Sequence, residues 1–274
     1  MKIRKKRVQG HTVWQVENRI MIIHFNRHGG KSQAPYNSLN VSPYTKDLQE
    51  TVKQNLQKIR QISGAKAIMA LRQVHGSRII IDRDAISAPL KKEQCRDGLP
   101  PLDLLQSSYW PVTEQADADG LMTNSPGLGL LIRTADCQAV TLVDMKREAI
   151  ANLHCGWRGI ASSIMADAAA GMRQEFQSRP EDMVAIIGPS LGPCCAEFKD
   201  WKQLLPDWMH PFVFTRDGRP YINLWAASAE RLASIGIPRK NIMIEGTCTA
   251  CSTDYFSYRR EKETGRNGTL ALII

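Results

Sequence analysis

The sequence predicts an α+β (mixed α/β) fold of mixed, largely antiparallel β-sheets flanked by helices, formed as a single domain over residues 1–274. Three observations lead there. Apolar runs of strand length alternate along the chain with helical stripes. Neighbouring strand-like runs often stand only a few residues apart, and such strands pair antiparallel, because a parallel return needs a crossover of about a dozen residues or more. With 274 residues, 43% of them apolar and 23% charged, the chain can bury one substantial core.

Residues 1–11 read as a basic N-terminal tail, since Lys2, Arg4, Lys5, Lys6 and Arg7 supply much of the net charge of +9. Such a run is usually solvated and only sometimes a nucleic-acid arm. No stacking-aromatic or helix-turn-helix pattern accompanies it, so no nucleic-acid partner is expected. No apolar run approaches the ~18 residues that cross a membrane, and Glu17 and Arg19 interrupt any signal-like stretch. A cytoplasmic protein with no membrane partner is expected; the oligomeric state is left open. The positive excess would help attract an anionic substrate such as phosphate.

Residues 12–25 hold two β-like runs around Glu17-Asn18-Arg19, a hairpin pattern. His28-Gly-Gly-Lys-Ser32 opens a polar loop to Tyr44, which is no P-loop because its glycine spacing is wrong and no helix follows it directly. Asn37, Ser38 and Asn40 within it are good turn formers. Asp47 with Glu50 signals a helix start; Leu48, Val52, Leu56 and Ile59 form its apolar stripe, and Gly64 ends it. Strands at 67–71 and 78–81 flank Gln73-Val-His75-Gly76. His75 therefore sits at a strand terminus, able to point into a cleft, although a lone histidine is as readily an ordinary polar residue. Residues 83–114, rich in Pro, Gly and charge, read as a long surface excursion. Asp117 and Asp119, beside Gly120, could serve as acids or simply form a turn, and a strand at 128–133 follows the turn Asn124-Ser-Pro-Gly127.

The next stretch predicts a hairpin, with strands at 139–143 and 149–153 joined by Asp144-Met-Lys-Arg147. Centred between Met145 and Lys146, the turn makes Asp144 face Arg147 and Cys137 face His154. Opposed residues on one face have Cβ atoms roughly 4.5–5.5 Å apart. A thiolate and an imidazole at that separation can share a metal or form a nucleophile pair; they can also be ordinary strand-end residues. Cys155-Gly-Trp-Arg-Gly159 then leads into a helix with Ile160, Ile164, Ala168 and Met172 on one face. A glycine-bearing turn that opens a helix offers backbone N–H groups to an anion, and Arg158 is placed to help.

A strand at 184–187 precedes the rigid turn Gly188-Pro189, and Phe198, Trp201, Leu204 and Leu205 mark a short helix stopped by Pro206. Asn223 caps another helix with Leu224, Ala227 and Leu232 inward and Gly236 past its end. Asp254-Tyr-Phe-Ser-Tyr-Arg-Arg260 sets Arg259 and Arg260 beside aromatics, able to hold phosphate and stack on a base or to form a solvated charged loop. The last strand covers 269–274. Cysteines at 95, 137, 155, 194, 195, 248 and 251 make an odd count, which argues for reduced thiols. Cys248-Thr-Ala-Cys251 has a spacing that suits zinc or redox chemistry, but no second Cys-x-x-Cys matches it and Cys194-Cys195 is a poor substitute, so the pattern weighs against a structural zinc site.

Several of these segments together resemble the YfiH-like, laccase-domain (polyphenol oxidase-type) family. They are Tyr36-Asn-Ser-Leu-Asn40, Gln73-Val-His75-Gly76, Thr134-Ala-Asp-Cys137, His154-Cys-Gly-Trp-Arg-Gly159, Ile187-Gly-Pro189, Phe256-Ser-Tyr-Arg-Arg260 and Thr264-Gly-Arg266. The resemblance runs from about residue 20 to the end. It implies a layered α/β/β/α arrangement of mixed sheets and flanking helices. It also implies a purine nucleoside phosphorylase that splits adenosine, inosine, guanosine and methylthioadenosine with phosphate and also deaminates adenosine. By motif position, the family's catalytic zinc ligands fall on His75, Cys137 and His154; copper is the lesser alternative. Three departures stand out: Cys155 where the family usually has Ala, Ala139 where it usually has Pro, and Cys194-Cys-Ala-Glu where it commonly has Cys-Tyr-Glu. None removes a ligand, and strand alternation points Cys155 away from His154.

Two imidazoles and one thiolate would leave a fourth tetrahedral position open, as in catalytic zinc sites. Phosphorolysis further needs anion holders, for which Arg158, Arg259 and Arg260 are the candidates, with Asn40 near the ribose or base. The partners so implied are a small-molecule purine nucleoside and phosphate. A rival reading is a Cys137–His154 amidohydrolase acting on a peptidoglycan precursor. A copper polyphenol oxidase is disfavoured, because six histidines are too few for several copper centres.

Overall fold

The computed structural model describes residues 2–82 and 112–274, and the side chains of 112–115 are left undescribed. The surface excursion predicted at 83–114 therefore lies, up to residue 111, outside the described residues, as does Cys95. The chain begins with strands β1 (Ile3–Val8), β2 (His11–Val16) and β3 (Ile20–His24), followed by helix α1 (Gln49–Ser63). Strands β4 (Ala67–Arg72), β5 (Ile79–Ile81), β6 (Val112–Asp117), β7 (Gly120–Thr123), β8 (Leu128–Thr134), β9 (Gln138–Asp144) and β10 (Ala149–Cys155) come next. Helices α2 (Trp157–Ala161) and α3 (Ile164–Phe176) precede β11 (Met183–Ile187) and α4 (Trp201–Leu204). The chain closes with β12 (Val213–Arg216), β13 (Arg219–Ile222), α5 (Leu224–Ser234), β14 (Ile242–Ile244), α6 (Tyr258–Glu261) and β15 (Asn267–Ile273).

Among the described residues, the strands form two large sheets, ordered β1-β2-β3-β15-β8-β4-β6 and β14-β11-β9-β10-β7-β5, with β12-β13 as a separate ribbon. Most pairs are antiparallel; β4 runs parallel to β6 and β8, β5 to β7, and β11 to β14. The sheets face each other through Ile22, Leu71, Leu130 and Ile132 on one side and Val143, Ile150 and Val184 on the other. Outside the first sheet, α1 packs Val52, Leu56 and Ile59 on Phe25, Ile68 and Leu131. Outside the second, Ile164, Ala168 and Met172 of α3 and Ala227 and Leu232 of α5 cover Leu142, Ala151 and Leu153. The layers are thus α/β/β/α, the arrangement that the family resemblance implies, and the mixed α+β class is the one that the alternating signals predict.

Local signals hold where their partners are local. Gly64 ends α1 with φ +71°, and Asn223 caps α5 by accepting the Ala226 N–H at 3.1 Å. Four expectations are corrected. The basic segment is no free tail, because Ile3–Val8 pairs with β2 as an edge strand. Leu48 is not in the stripe of α1: it is 73% exposed and precedes the helix, and Asp47 makes no capping box because its oxygens accept from Leu48 N and Asn40 Nδ2. The helix after Gly159 breaks at Ser162–Ser163 into α2 and α3.

The fourth correction is the hairpin register. His154 pairs with Ala139 and Ile150 with Val143, so the loop has four residues, Met145 to Glu148, where the sequence reading has two. Asp144 Oδ1 stabilises it by accepting the N–H groups of Lys146 and Arg147, and Glu148 closes it at φ +48°. Cys137 consequently lies just before β9 and does not face His154. The slip is two residues, which preserves side-chain faces. Cys155 indeed points into the helix-covered core, while His154 lies on the opposite face of its strand.

Candidate functional site

One end of the β-sandwich collects strand termini from both sheets. β4 and β8 end there, β10 ends at His154-Cys155, and β7 and β9 begin there. The short link from Thr134 to Gln138 crosses from one sheet to the other and carries Cys137. The loop after β4 carries His75. Sequence separations of 62 and 17 residues thereby close to one cluster: ligating atoms of His75, Cys137 and His154 all lie within 4.8 Å of one another. The two imidazoles meet edge to face with centroids 4.7 Å apart. His154 is buried, Cys137 half-buried and His75 exposed, so the cluster opens to solvent on the His75 side.

Asp119, which the sequence leaves undecided between acid and turn former, is the brace of this cluster. Its side chain is 0% exposed. Oδ1 accepts from His75 N at 2.9 Å and from His154 Nδ1 at 2.7 Å; Oδ2 accepts from Val74 N at 3.2 Å and Gly76 N at 2.7 Å. The carboxylate thus holds a proton on His154 Nδ1, so that Nε2 is the nitrogen that a metal would take by displacing its proton. It also holds the His75 loop, where His75 itself sits at φ +62°. Burial raises the pKa of the Asp119 carboxyl, but the His154 hydrogen bond and the Gly76 and His75 N–H groups outweigh it and leave it below the ordinary value.

Burial also raises the thiol pKa of Cys137, yet His154 and His75 overcome this and bring it down to about 6. Reciprocally, burial lowers His154 while the Cys137 sulfur and Asp119 lift it to about 9. The pair favours thiolate and imidazolium when nothing else is bound. Asp136, at φ +98°, anchors the residue before Cys137 by accepting from Thr249 Oγ1 at 2.7 Å and from Arg259 N at 2.6 Å. Gly156 gives the cluster room: a Cβ there would lie 3.1 Å from Cys137 Sγ and 3.3 Å from His75 Cδ2.

The four proposed substrate residues separate. Arg158 is exposed and stacks its guanidinium 4.3 Å from the Trp157 ring, two residues past Gly156. Arg259 is exposed, and its guanidinium reaches the Glu197 carbonyl at 3.3 Å. Arg260 is corrected to a structural bracket, because its guanidinium donates to the carbonyls of Thr249, Ala250, Ser252 and Tyr255 and to Glu261. Asn40 is likewise corrected: it is fully buried, its amide donates to Ser42 O, Thr45 Oγ1 and Asp47 Oδ2, and its carbonyl accepts from Ser42 N and Arg266 N. Asp117 pairs with Arg72.

Besides Asp119, sequence reasoning misses Arg266. Burial lowers its guanidinium pKa while Cys137 and Asp136 raise it, and Nη1 donates to the Thr264 and Gly265 carbonyls at 2.9 and 3.1 Å. The signal was the Thr264-Gly-Arg266 motif, which carries no spacing rule of its own.

Residues 21–274 match a family described as multi-copper polyphenol oxidoreductase laccase. A purine nucleoside phosphorylase of Bacteroides thetaiotaomicron is 31% identical over 255 residues, covering 87% of this chain and 86% of that one. One of Xylella fastidiosa is 30% identical over 271 residues, 95% of each chain. The crystal structure of a hypothetical protein YfiH from Bacillus licheniformis superposes with a TM-score of 0.80 at 26% identity, over 96% of both chains.

Proposed function

The chain belongs to the laccase-domain, YfiH-like family, and from that premise we propose that it is a zinc-dependent purine nucleoside phosphorylase with adenosine deamination as a side activity. Its substrates would be adenosine, inosine, guanosine and methylthioadenosine, each split with phosphate into base and sugar 1-phosphate. The observation that carries the reading is the convergence of His75, Cys137 and His154 on one point beside a buried carboxylate.

The donor set suits zinc: two imidazoles and a thiolate, the histidine fixed through its far nitrogen, and a glycine that leaves space against the sulfur. Zinc bound there would polarise a substrate atom as a Lewis acid or lower the pKa of a water for attack on purine C6. Asp119 holds His154 and the His75 loop in position without reorganisation. Arg158, Arg259 and Arg266 are the cations available to hold phosphate as its oxygen forms a bond to C1′ and the purine departs with the electron pair of the glycosidic bond.

The thiolate–imidazolium polarisation of Cys137 and His154 favours one second reading, the Cys–His amidohydrolase. The copper oxidase reading, which the family description suggests, is disfavoured because among the described residues only two of the six histidines, His75 and His154, stand in a ligand cluster. Incubating metal-characterised protein with adenosine, with and without phosphate, separates the two. Adenine and ribose 1-phosphate that form only with phosphate are expected, and inosine marks deamination. If His75→Ala keeps both zinc and nucleoside cleavage, the reading is wrong.

A further inference from the structure

Four thiols from two loops meet in a cluster separate from the candidate site. Cys194 and Cys195 lie in the connection after β11; Cys248 and Cys251 lie after β14, its parallel neighbour. Their sulfurs all lie within 4.8 Å of one another, and Cys251 Sγ is 3.4 Å from both Cys194 Sγ and Cys195 Sγ. A tetrahedron with metal–sulfur bonds of ~2.3 Å has sulfur–sulfur edges of ~3.8 Å, so the cluster already has the size of one coordination shell. A disulfide at Cys251 would use only one of Cys194 and Cys195, whose sulfurs stand at equal distances from it.

We propose that Cys194, Cys195, Cys248 and Cys251 form a second, structural metal site that holds one zinc ion in tetrahedral tetrathiolate coordination. Spacing alone weighs against it, because vicinal cysteines look unable to replace a second Cys-x-x-Cys. The tight turn supplies what spacing lacks. Cys195 N and Ala196 N both donate to Gly192 O, at 3.0 and 3.1 Å, and this curl brings Cys194 and Cys195 to the same thiol, Cys251.

The surroundings hold the four sulfurs in place. Cys248 Sγ accepts the Gly192 N–H at 3.2 Å. Arg260 fixes the Cys-x-x-Cys loop through the Thr249, Ala250 and Ser252 carbonyls. Gly192 cannot carry a side chain there, since a Cβ would lie 2.9 Å from Cys248 Cβ and 3.2 Å from Cys194 Sγ. Arg216 donates to Cys194 O at 2.7 Å and offers a cation beside a shell whose net charge would be about −2. Metal binding releases the thiol protons to solvent as the four sulfur–zinc bonds form.

The site would have a structural consequence. Ser190 joins the two loops through Thr247 O and Thr249 N, and Thr249 Oγ1 donates to Asp136 next to Cys137. A zinc clip at the four cysteines therefore secures the wall that carries Cys137.

The test is elemental analysis of full-length protein with zinc as the only added metal, together with zinc-edge X-ray absorption. Two zinc ions per wild-type chain are expected, one in Cys137→Ala, one in Cys251→Ser and none in the double variant. The zinc left in Cys137→Ala should show four sulfur neighbours at ~2.3 Å. That measurement leaves the four cysteines untouched and so does not depend on the folding of Cys251→Ser. If the first site holds no zinc, the wild type contains a single ion with this all-sulfur shell, which separates the two claims. The proposal is overturned if Cys137→Ala holds no zinc, if its shell contains nitrogen or oxygen, or if the intact mass shows two hydrogens lost to a disulfide.

Discussion

Replacing Asp119 with asparagine should weaken metal binding while changing the molecule's shape hardly at all. The four groups around Asp119 are all donors: His75 N and His154 Nδ1 on one oxygen, Val74 N and Gly76 N on the other. An amide has one acceptor and one donor end, so whichever way it turns, its NH2 faces two N–H groups inside a fully buried site. If the NH2 faces Val74 and Gly76, two backbone donors of the His75 loop lose their acceptor, at ~1–3 kcal/mol each. If it faces His154, the tautomer is no longer fixed and Nε2 is no longer guaranteed as the ligand. Loss of such a brace costs about 10–100-fold in metal affinity, or roughly 1.4–2.7 kcal/mol at 1.36 kcal/mol per decade. Zinc affinity by chelator competition, with thermal unfolding of the metal-free protein alongside, reads both effects. An Asp119→Asn protein that binds zinc within twofold of wild type and melts at the same temperature would refute the brace.

Gly156→Ala places a methyl 3.1 Å from Cys137 Sγ and 3.3 Å from His75 Cδ2. Its backbone at φ −70° tolerates alanine, so zinc affinity should fall about tenfold while the melting temperature of the metal-free protein barely moves; equal affinity would show that the ligands stand elsewhere. The arginines should part company: Arg260→Ala removes the donors to four backbone carbonyls and should cost ~3 kcal/mol or more in chemical denaturation. Arg158→Ala should leave stability within ~0.5 kcal/mol and raise the KM for phosphate, and an unchanged KM would remove Arg158 from the substrate site. His24, buried beside Thr269 with its pKa lowered to about 3, stays neutral in the fold while the unfolded chain takes up a proton near pH 6.5. Its contribution is therefore present above pH 6.5 and is lost as pH falls from there towards 3, by ~2–3 kcal/mol at pH 4.5. His24→Gln should flatten this acid limb of the stability curve, measured by urea unfolding at several pH values.

Much of the fold is legible residue by residue, because the forces involved act over a few positions. The stripe of α1 and its glycine stop, the Asn223 cap, the apolar runs of β9 and β10 and the final strand all follow from local patterns. Register was less accessible. Two extra loop residues, held by the Asp144 carboxylate, shift the pairing by two, and only the parity of side-chain faces survived the error.

Three ligand candidates came from the sequence through motif resemblance, and His75 could not have been joined to Cys137 by spacing, since strand order across two sheets sets that approach. The same reason hides Asp119, Arg266 and the four-cysteine cluster: each acts on residues tens to more than a hundred positions away. It also demoted Asn40 and Arg260, whose polarity looked available until their hydrogen bonds were accounted for. What the sequence by itself determined is which segments become strands and helices and which faces they bury, because those depend on neighbours in the chain. Which polar groups meet, and which remain free for a metal or a phosphate, only the tertiary structure decided, since that depends on where distant segments end.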